Sequence, residues 1–135
     1  MEEGKKVIND SPLLEDEQHV YYDGLVRRIQ SGDLQLIEVR NAPELAQTGT
    51  IIENMCHVPV PELEEALQLS DEAFLAKYGH PKPQKTQDNI VFTCRIGNRS
   101  LKALNIAKAL GYTKARHYPG GWTEWIQKNP RSSSN

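Results

Sequence analysis

The chain is short of several things, and each shortage excludes something. Only two of its 135 residues are cysteine, Cys56 and Cys94, so no disulfide framework holds it together, and free thiols in a reducing compartment are expected. Acidic and basic residues nearly cancel, 18 against 16, so no global basic field points to nucleic acid. Its apolar runs fall far short of the roughly 20 residues that a membrane-spanning helix needs, and no membrane partner is expected. Met1-Glu2-Glu3-Gly4-Lys5-Lys6 lacks the apolar region of a signal peptide, and the Arg/Ser-rich, acid-poor character of a transit peptide is missing too. A cytoplasmic protein is expected, or a mitochondrial one if a leader was removed. His19, His57, His80 and His117 are scattered without ligand spacing, so no metal and no cofactor are expected.

What is present centres on one stretch, Cys94-Arg95-Ile96-Gly97-Asn98-Arg99-Ser100. The apolar run Ile90-Val91-Phe92-Thr93 leads into it, and a helical pattern from Arg99 to Leu110 leads out. This is a strand, a tight turn holding a cysteine, and a helix start. The first N–H groups of a helix have no partners within it, and the helix dipole adds positive charge there, so the turn is an anion site. A cysteine in such a setting favours the nucleophilic thiolate. Arg95 and Arg99 add full positive charge, and Gly97 permits a backbone curl closed to residues with a Cβ.

Around that centre the chain alternates between strand and helix. Residues 1–17 are polar and acidic and read as a flexible tail; a domain over 18–129 and a disordered tail over 130–135 follow. Within the domain, helices are expected at His19–Gln30, Pro43–Gln47, Pro61–Leu69, from Ser70 to Gly79, and over a last face of Trp122, Trp125 and Ile126. The apolar positions of the Ser70 helix are Phe74, Leu75 and Tyr78, and those after the cysteine turn are Leu101, Leu104, Ala107 and Leu110. Strands are expected at Leu34–Val39, Thr48–Ile52 (or an extended turn), Ile90–Thr93 at the sheet centre, and Ala115–Tyr118. His80–Asp88 reads as a surface loop. Such alternation implies a parallel sheet covered on both faces, with the ligand crevice beyond the carboxyl ends of the strands, where Cys94 falls.

In this order and spacing the motifs resemble the single-domain rhodanese family, from about His19 to Lys128. The loop resembles that family's C-R-x-G-x-R-S signature. Ile37-Glu38-Val39-Arg40 resembles its I-D-V-R strand end, Gly49-Thr50-Ile51 its G-H/T-I turn, and Leu110-Gly111-Tyr112 the close of the loop's helix. Gly120-Gly121-Trp122 with Trp125 resembles its G-G-x-x-x-W segment. There are departures. Glu38 stands where the family has aspartate, and Gly49 to Pro59 is about one residue longer and lacks a Pro-Gly-Ala.

The resemblance implies an α/β, three-layer rhodanese-like fold, a mostly parallel sheet with helices on both faces. It implies a thiosulfate sulfurtransferase: Cys94 takes sulfane sulfur from thiosulfate or a persulfide donor and passes it to cyanide or a small thiol such as glutathione. Arg95 and Arg99 would bind the donor, with Arg99 open to a second task, bracing the loop. The N–H groups of Ile96, Gly97, Asn98 and Ser100 would cradle the persulfide. Two other readings compete: a sulfur-carrier or regulatory module serving a protein partner, and a cysteine phosphatase. The phosphatase loop resembles C-x5-R, whereas Cys94 to Arg99 is C-x4-R, a smaller cradle that suits one sulfur atom better than a phosphate. Cys56 reads as a small buried hydrophobe more than a relay thiol. His57 reads as a surface or packing histidine, and Trp122 and Trp125 as core.

Overall fold

The structure, a computed structural model, describes residues 13–131. Four short strands, β1 (Gln35–Glu38), β2 (Cys56–His57), β3 (Ile90–Thr93) and β4 (Arg116–His117), form one sheet in the order β2-β1-β3-β4. All three pairings are parallel, with Ile37 opposite both Cys56 and Phe92, and Phe92 opposite His117. Six helices complete this part of the chain: α1 (Tyr22–Ser31), α2 (Ala42–Thr48), α3 (Val60–Ala66), α4 (Asp71–Tyr78), α5 (Asn98–Ala109) and α6 (Gly121–Lys128).

Side chains alternate across a strand, so a sheet covered on both faces needs apolar residues at every position. β3 comes close to this, with all four residues buried and Thr93 its one polar member. Ile90 and Phe92 join Ile37, Leu63, Phe74 and Leu104 in the core under α3, α4 and α5. Val91 and Leu36 point the other way, into a second core with Leu25 of α1 and Trp122 of α6. The expected three layers and the central place of β3 are both present.

The parallel strands turn in opposite directions around β1. The chain leaves β1 for β2 on one side and returns to β3 on the other. Connections that diverge from neighbouring strands open a crevice at their carboxyl ends. The β1–α2 and β3–α5 connections therefore face each other, with Cys94 on the second of them.

Local chemistry explains the helix starts. Asn41 Oδ1 accepts from the Glu44 N–H (3.1 Å) while Glu44 Oε1 accepts from the Asn41 N–H (3.2 Å), a reciprocal cap on α2. Ser70 Oγ accepts from the Ala73 N–H (3.1 Å) and starts α4, as its sequence suggests.

Several expectations need correction. Residues 48–52 form no strand; β2 is Cys56–His57 instead, and two residues are too few for alternation to reveal. α1 starts at Tyr22 and not at His19, because His19 and Val20 extend the sheet beyond β4: the His117 N–H donates to Gln18 O and the Val20 N–H to His117 O, both at 2.9 Å. Leu75 and Leu101, counted into apolar stripes, are exposed. The loop from His80 to Asp88 does lie at the surface as its sequence suggests, and it is anchored there, since the Tyr112 hydroxyl donates to Pro83 O at 3.0 Å.

The expected tails, 1–17 and 130–135, lie mostly outside the described residues. At their inner ends, Arg28 donates to both Glu15 carboxylate oxygens (2.6 and 3.0 Å), and Arg131 donates to Thr50 O (2.6 Å).

At the carboxyl end of β1 lies a fully buried ion pair. Arg40 Nε and Nη2 donate to Glu38 Oε2 and Oε1, each at 3.0 Å. The guanidinium also donates to Thr48 Oγ1 (2.9 Å) and Gly49 O (3.0 Å), and sits 5.3 Å above the Trp122 ring. Glu38, a departure from the aspartate of the resembled motif, thus makes a two-pronged contact, and its arginine pins the start of the Gly49–Pro59 segment. Arg40→Met is expected to lower stability in urea unfolding by about 3–5 kcal/mol, because Glu38 would keep a buried carboxylate without a counter-ion. A loss below about 1 kcal/mol would show that Glu38 does not depend on Arg40.

Candidate active site

β3 delivers Cys94 to the crevice and α5 begins four residues later. Cys94 is completely buried, and its Sγ accepts two backbone hydrogen bonds, from the Gly97 N–H (3.1 Å) and the Ser100 N–H (3.2 Å). They are two of the four loop donors expected from the sequence; the Ile96 and Asn98 N–H groups make no hydrogen bond to the sulfur. Gly97 takes φ +101°, and a Cβ there would stand 2.6 Å from Pro119 O, so glycine is required twice over.

A loop that turns its N–H groups toward a sulfur must find other partners for its carbonyls. The start of α6 supplies them: the Trp122 N–H donates to Cys94 O (2.8 Å) and the Thr123 N–H to Arg95 O (3.1 Å). Gly121 makes that approach possible, since a Cβ on it would lie 2.4 Å from Arg95 O. The Gly120-Gly121-Trp122 segment and the Cys94 loop are therefore two halves of one device.

Arg95 and Arg99 flank the crevice, their side chains 42% and 37% exposed, open enough for an anion to reach. Arg99 is engaged: Nη1 and Nη2 donate to Glu44 Oε1 (2.6 Å) and Oε2 (2.9 Å). These bonds tie the Cys94 loop to α2. Arg95 Nε lies 3.5 Å from the same carboxylate. These guanidinium bonds, chiefly those from Arg99, hold the Glu44 carboxyl down at about 2 against a smaller opposing effect of burial. Sequence reading overlooks Glu44, which lies 55 residues from Arg99; the α2 capping motif is the only local hint of it.

Of the other cradle residues, Ile96 is exposed at the mouth and Asn98 opens α5. The Ser100 hydroxyl is buried behind the loop, 2.8 Å from His117 Nδ1 and 3.2 Å from Gly97 O. Burial, with help from nearby His19, pulls the His117 imidazole down to about 4. His57 is part-buried with Nε2 2.6 Å from Arg40 O, a packing role. Cys56 lies in the main core, where burial pushes its thiol up to about 11. Trp122 is core, and Trp125 is packed against it. Among the described residues no group of three His, Cys, Asp or Glu side chains could hold a metal ion, and no helix is long and apolar enough to cross a membrane.

A buried sulfur at a helix start, with two N–H donors and flanking guanidinium groups, can act as a nucleophile toward an anion and then carry negative charge itself. That is the site of a cysteine-dependent group-transfer domain. The rhodanese-like domain model matches residues 22–128. The Drosophila melanogaster rhodanese domain-containing protein CG4456 is 50% identical over 96 residues, 71% of this chain and 85% of that one. The Homo sapiens thiosulfate:glutathione sulfurtransferase is 43% identical over 100 residues, 74% of this chain and 85% of that one. Among solved structures, the human single-domain sulfurtransferase TSTD1 superposes with a TM-score of 0.78 at 39% identity, covering 84% of this chain and 98% of the other. The chain belongs to the rhodanese-like domain family.

The His117 shift gives stability a defined pH dependence. An unfolded histidine takes its proton near 6.5, the buried one near 4, so the unfolded chain binds more protons between these values. Urea midpoints are expected to hold above about 6.5 and fall steadily as the pH drops toward 4, with that part of the fall absent in His117→Asn. An equally steep fall in the variant would remove His117 as its source.

Proposed function

We propose that this chain is a sulfurtransferase that moves sulfane sulfur through a persulfide on Cys94, with residues 18–129 as the working unit. One observation carries the reading: the only cysteine in the crevice has its sulfur held by the Gly97 and Ser100 N–H groups of the family's loop. In the first step the Cys94 thiolate attacks the outer sulfur of thiosulfate. A sulfur–sulfur bond forms on Cys94, the sulfur–sulfur bond of thiosulfate breaks, and sulfite leaves with the electron pair. In the second step an acceptor thiolate attacks the outer persulfide sulfur and the Cys94 thiolate leaves. Charge balances in both steps, and no redox partner is needed. Splitting one transfer in two lets the same N–H groups stabilise the attacking and the leaving thiolate.

Arg95, the freer of the two guanidinium groups, is the donor-binding residue in this reading, with Arg99 beside it. Glutathione is the small thiol we favour as acceptor, supported by the name of the human relative, with cyanide as an artificial one. The reducing cytoplasm, where that thiol is plentiful, is where the exchange would run. Neither the carrier reading nor the phosphatase reading gains support from the relatives.

Intact mass after incubation with thiosulfate tests the core of this. The chain is expected to gain one sulfur atom and Cys94→Ser none; a gain in the variant would move the chemistry elsewhere. Arg95→Ala is expected to raise the KM for thiosulfate about tenfold or more, a charge-assisted contact being worth about 1.5–3 kcal/mol. An unchanged KM would take the donor away from Arg95.

A further inference from the structure

The guanidinium groups that would hold an anionic donor already face an anion of the protein's own. Glu44 takes two bonds from Arg99 and lies 3.5 Å from Arg95. Its place is not accidental to the fold, because its Oε1 also accepts from the Asn41 N–H at the start of α2. The carboxylate is therefore delivered by the β1–α2 connection to face the β3–α5 loop across the crevice. It stays charged wherever a thiolate can exist, its carboxyl being held at about 2. Two guanidinium groups and one carboxylate leave a single net positive charge beside the sulfur. Arg99 lies close enough to Cys94 to feel its charge as well.

We propose that Glu44 sets how tightly the site holds its anionic sulfur donor, by acting as an internal competitor for Arg99 and Arg95. The inference rests on the sulfur-transfer reading. In that reaction a dianionic donor must enter, dianionic sulfite must leave, and an acceptor that also carries negative charge must follow into the same crevice. Two unopposed arginines would hold the first anion well and retain the second. Glu44 offsets that attraction and lets one pocket serve both steps. It acts through the arginines and touches no reacting atom, so it is a specificity-determining residue and not a catalytic one.

The test separates binding from chemistry. Thiosulfate is titrated calorimetrically into Cys94→Ser, which forms no persulfide, with and without Glu44→Gln. The amide keeps the length of the side chain and an oxygen for the Asn41 N–H. Binding is expected to tighten about five- to tenfold and to become more salt-dependent, since a like-charged competitor is removed from a partly exposed site. Adding Arg99→Ala, which removes the guanidinium that Glu44 chiefly engages, should cancel most of the gain. With Cys94 in place, Glu44→Gln should lower the KM for thiosulfate by a similar factor without raising kcat. A site that is merely loosened would bind more weakly, so unchanged or weaker binding overturns the proposal and leaves Glu44 as a brace. If Glu44→Gln does not fold, Glu44→Asp, whose shorter side chain draws the carboxylate away from the arginines, must also tighten binding or the proposal falls. Sulfur gain by the unaltered chain reads the reaction separately. Tighter binding without sulfur gain would keep Glu44 and sink the donor; sulfur gain without tighter binding would do the reverse.

Discussion

A buried sulfur at the start of a helix is the constraint on which the rest of this structure depends. In the proposed reaction that sulfur carries negative charge, and away from water such a charge is tolerable only with hydrogen-bond donors around it. The chain supplies them by curling its backbone at Gly97 and starting α5 there, which aims the Gly97 and Ser100 N–H groups at Cys94 Sγ. That choice has a cost on the other side of the loop, where the carbonyls of Cys94 and Arg95 lose any partner within it. A second helix start answers it, with the Trp122 and Thr123 N–H groups of α6 on those two carbonyls. One helix start thus serves the sulfur and another serves the loop that holds it. The glycine at 121 is as much a part of the site as the glycine at 97, because each admits a carbonyl oxygen where a Cβ would stand.

The two ion pairs near the crevice do different work because they lie at different depths. Glu38 and Arg40 are buried with all their partners in place, so the pair fixes β1, Thr48 and Gly49 in one arrangement. Breaking it would strand a charge away from water. Glu44 and Arg99 have similar geometry but stand partly in solvent, where the attraction is screened and can be exchanged for another anion. The first pair suits a structural task and the second an adjustable one.

Much of this was legible in the chain because the informative contacts are local. The Cys94–Ser100 loop, β3 and the Ser70 cap all follow from residues a few positions apart. β2 is two residues long and carries no period, so the β-branched Thr50-Ile51-Ile52 drew the expectation of a strand that belongs to Cys56–His57. The sequence pattern starts α1 at His19, yet the backbone of His19 and Val20 completes the sheet edge beside His117, which only the folded chain reveals. The carboxylate on the arginines was invisible for the same reason: Glu44 resembles any first-turn acid until α2 is set opposite α5.

The two cysteines make the physical point most directly. Both are buried, and by composition alone nothing separates them. Cys56 sits among Val58, Leu63 and Phe74 in the main core, where burial pushes its thiol up to about 11 and keeps it protonated and inert at neutral pH. Cys94 lies against the same core but differs in direction: its sulfur faces the open end of a helix, meets two N–H groups, and stands near two guanidinium groups. Burial among apolar side chains suppresses a thiolate, as at Cys56, whereas Cys94 Sγ already has hydrogen-bond donors in place for the negative charge that the proposed reaction puts on it. The distinction between a structural cysteine and a reactive one is therefore made by the backbone around it, which is why a seven-residue loop carries more functional information than the rest of the chain's composition.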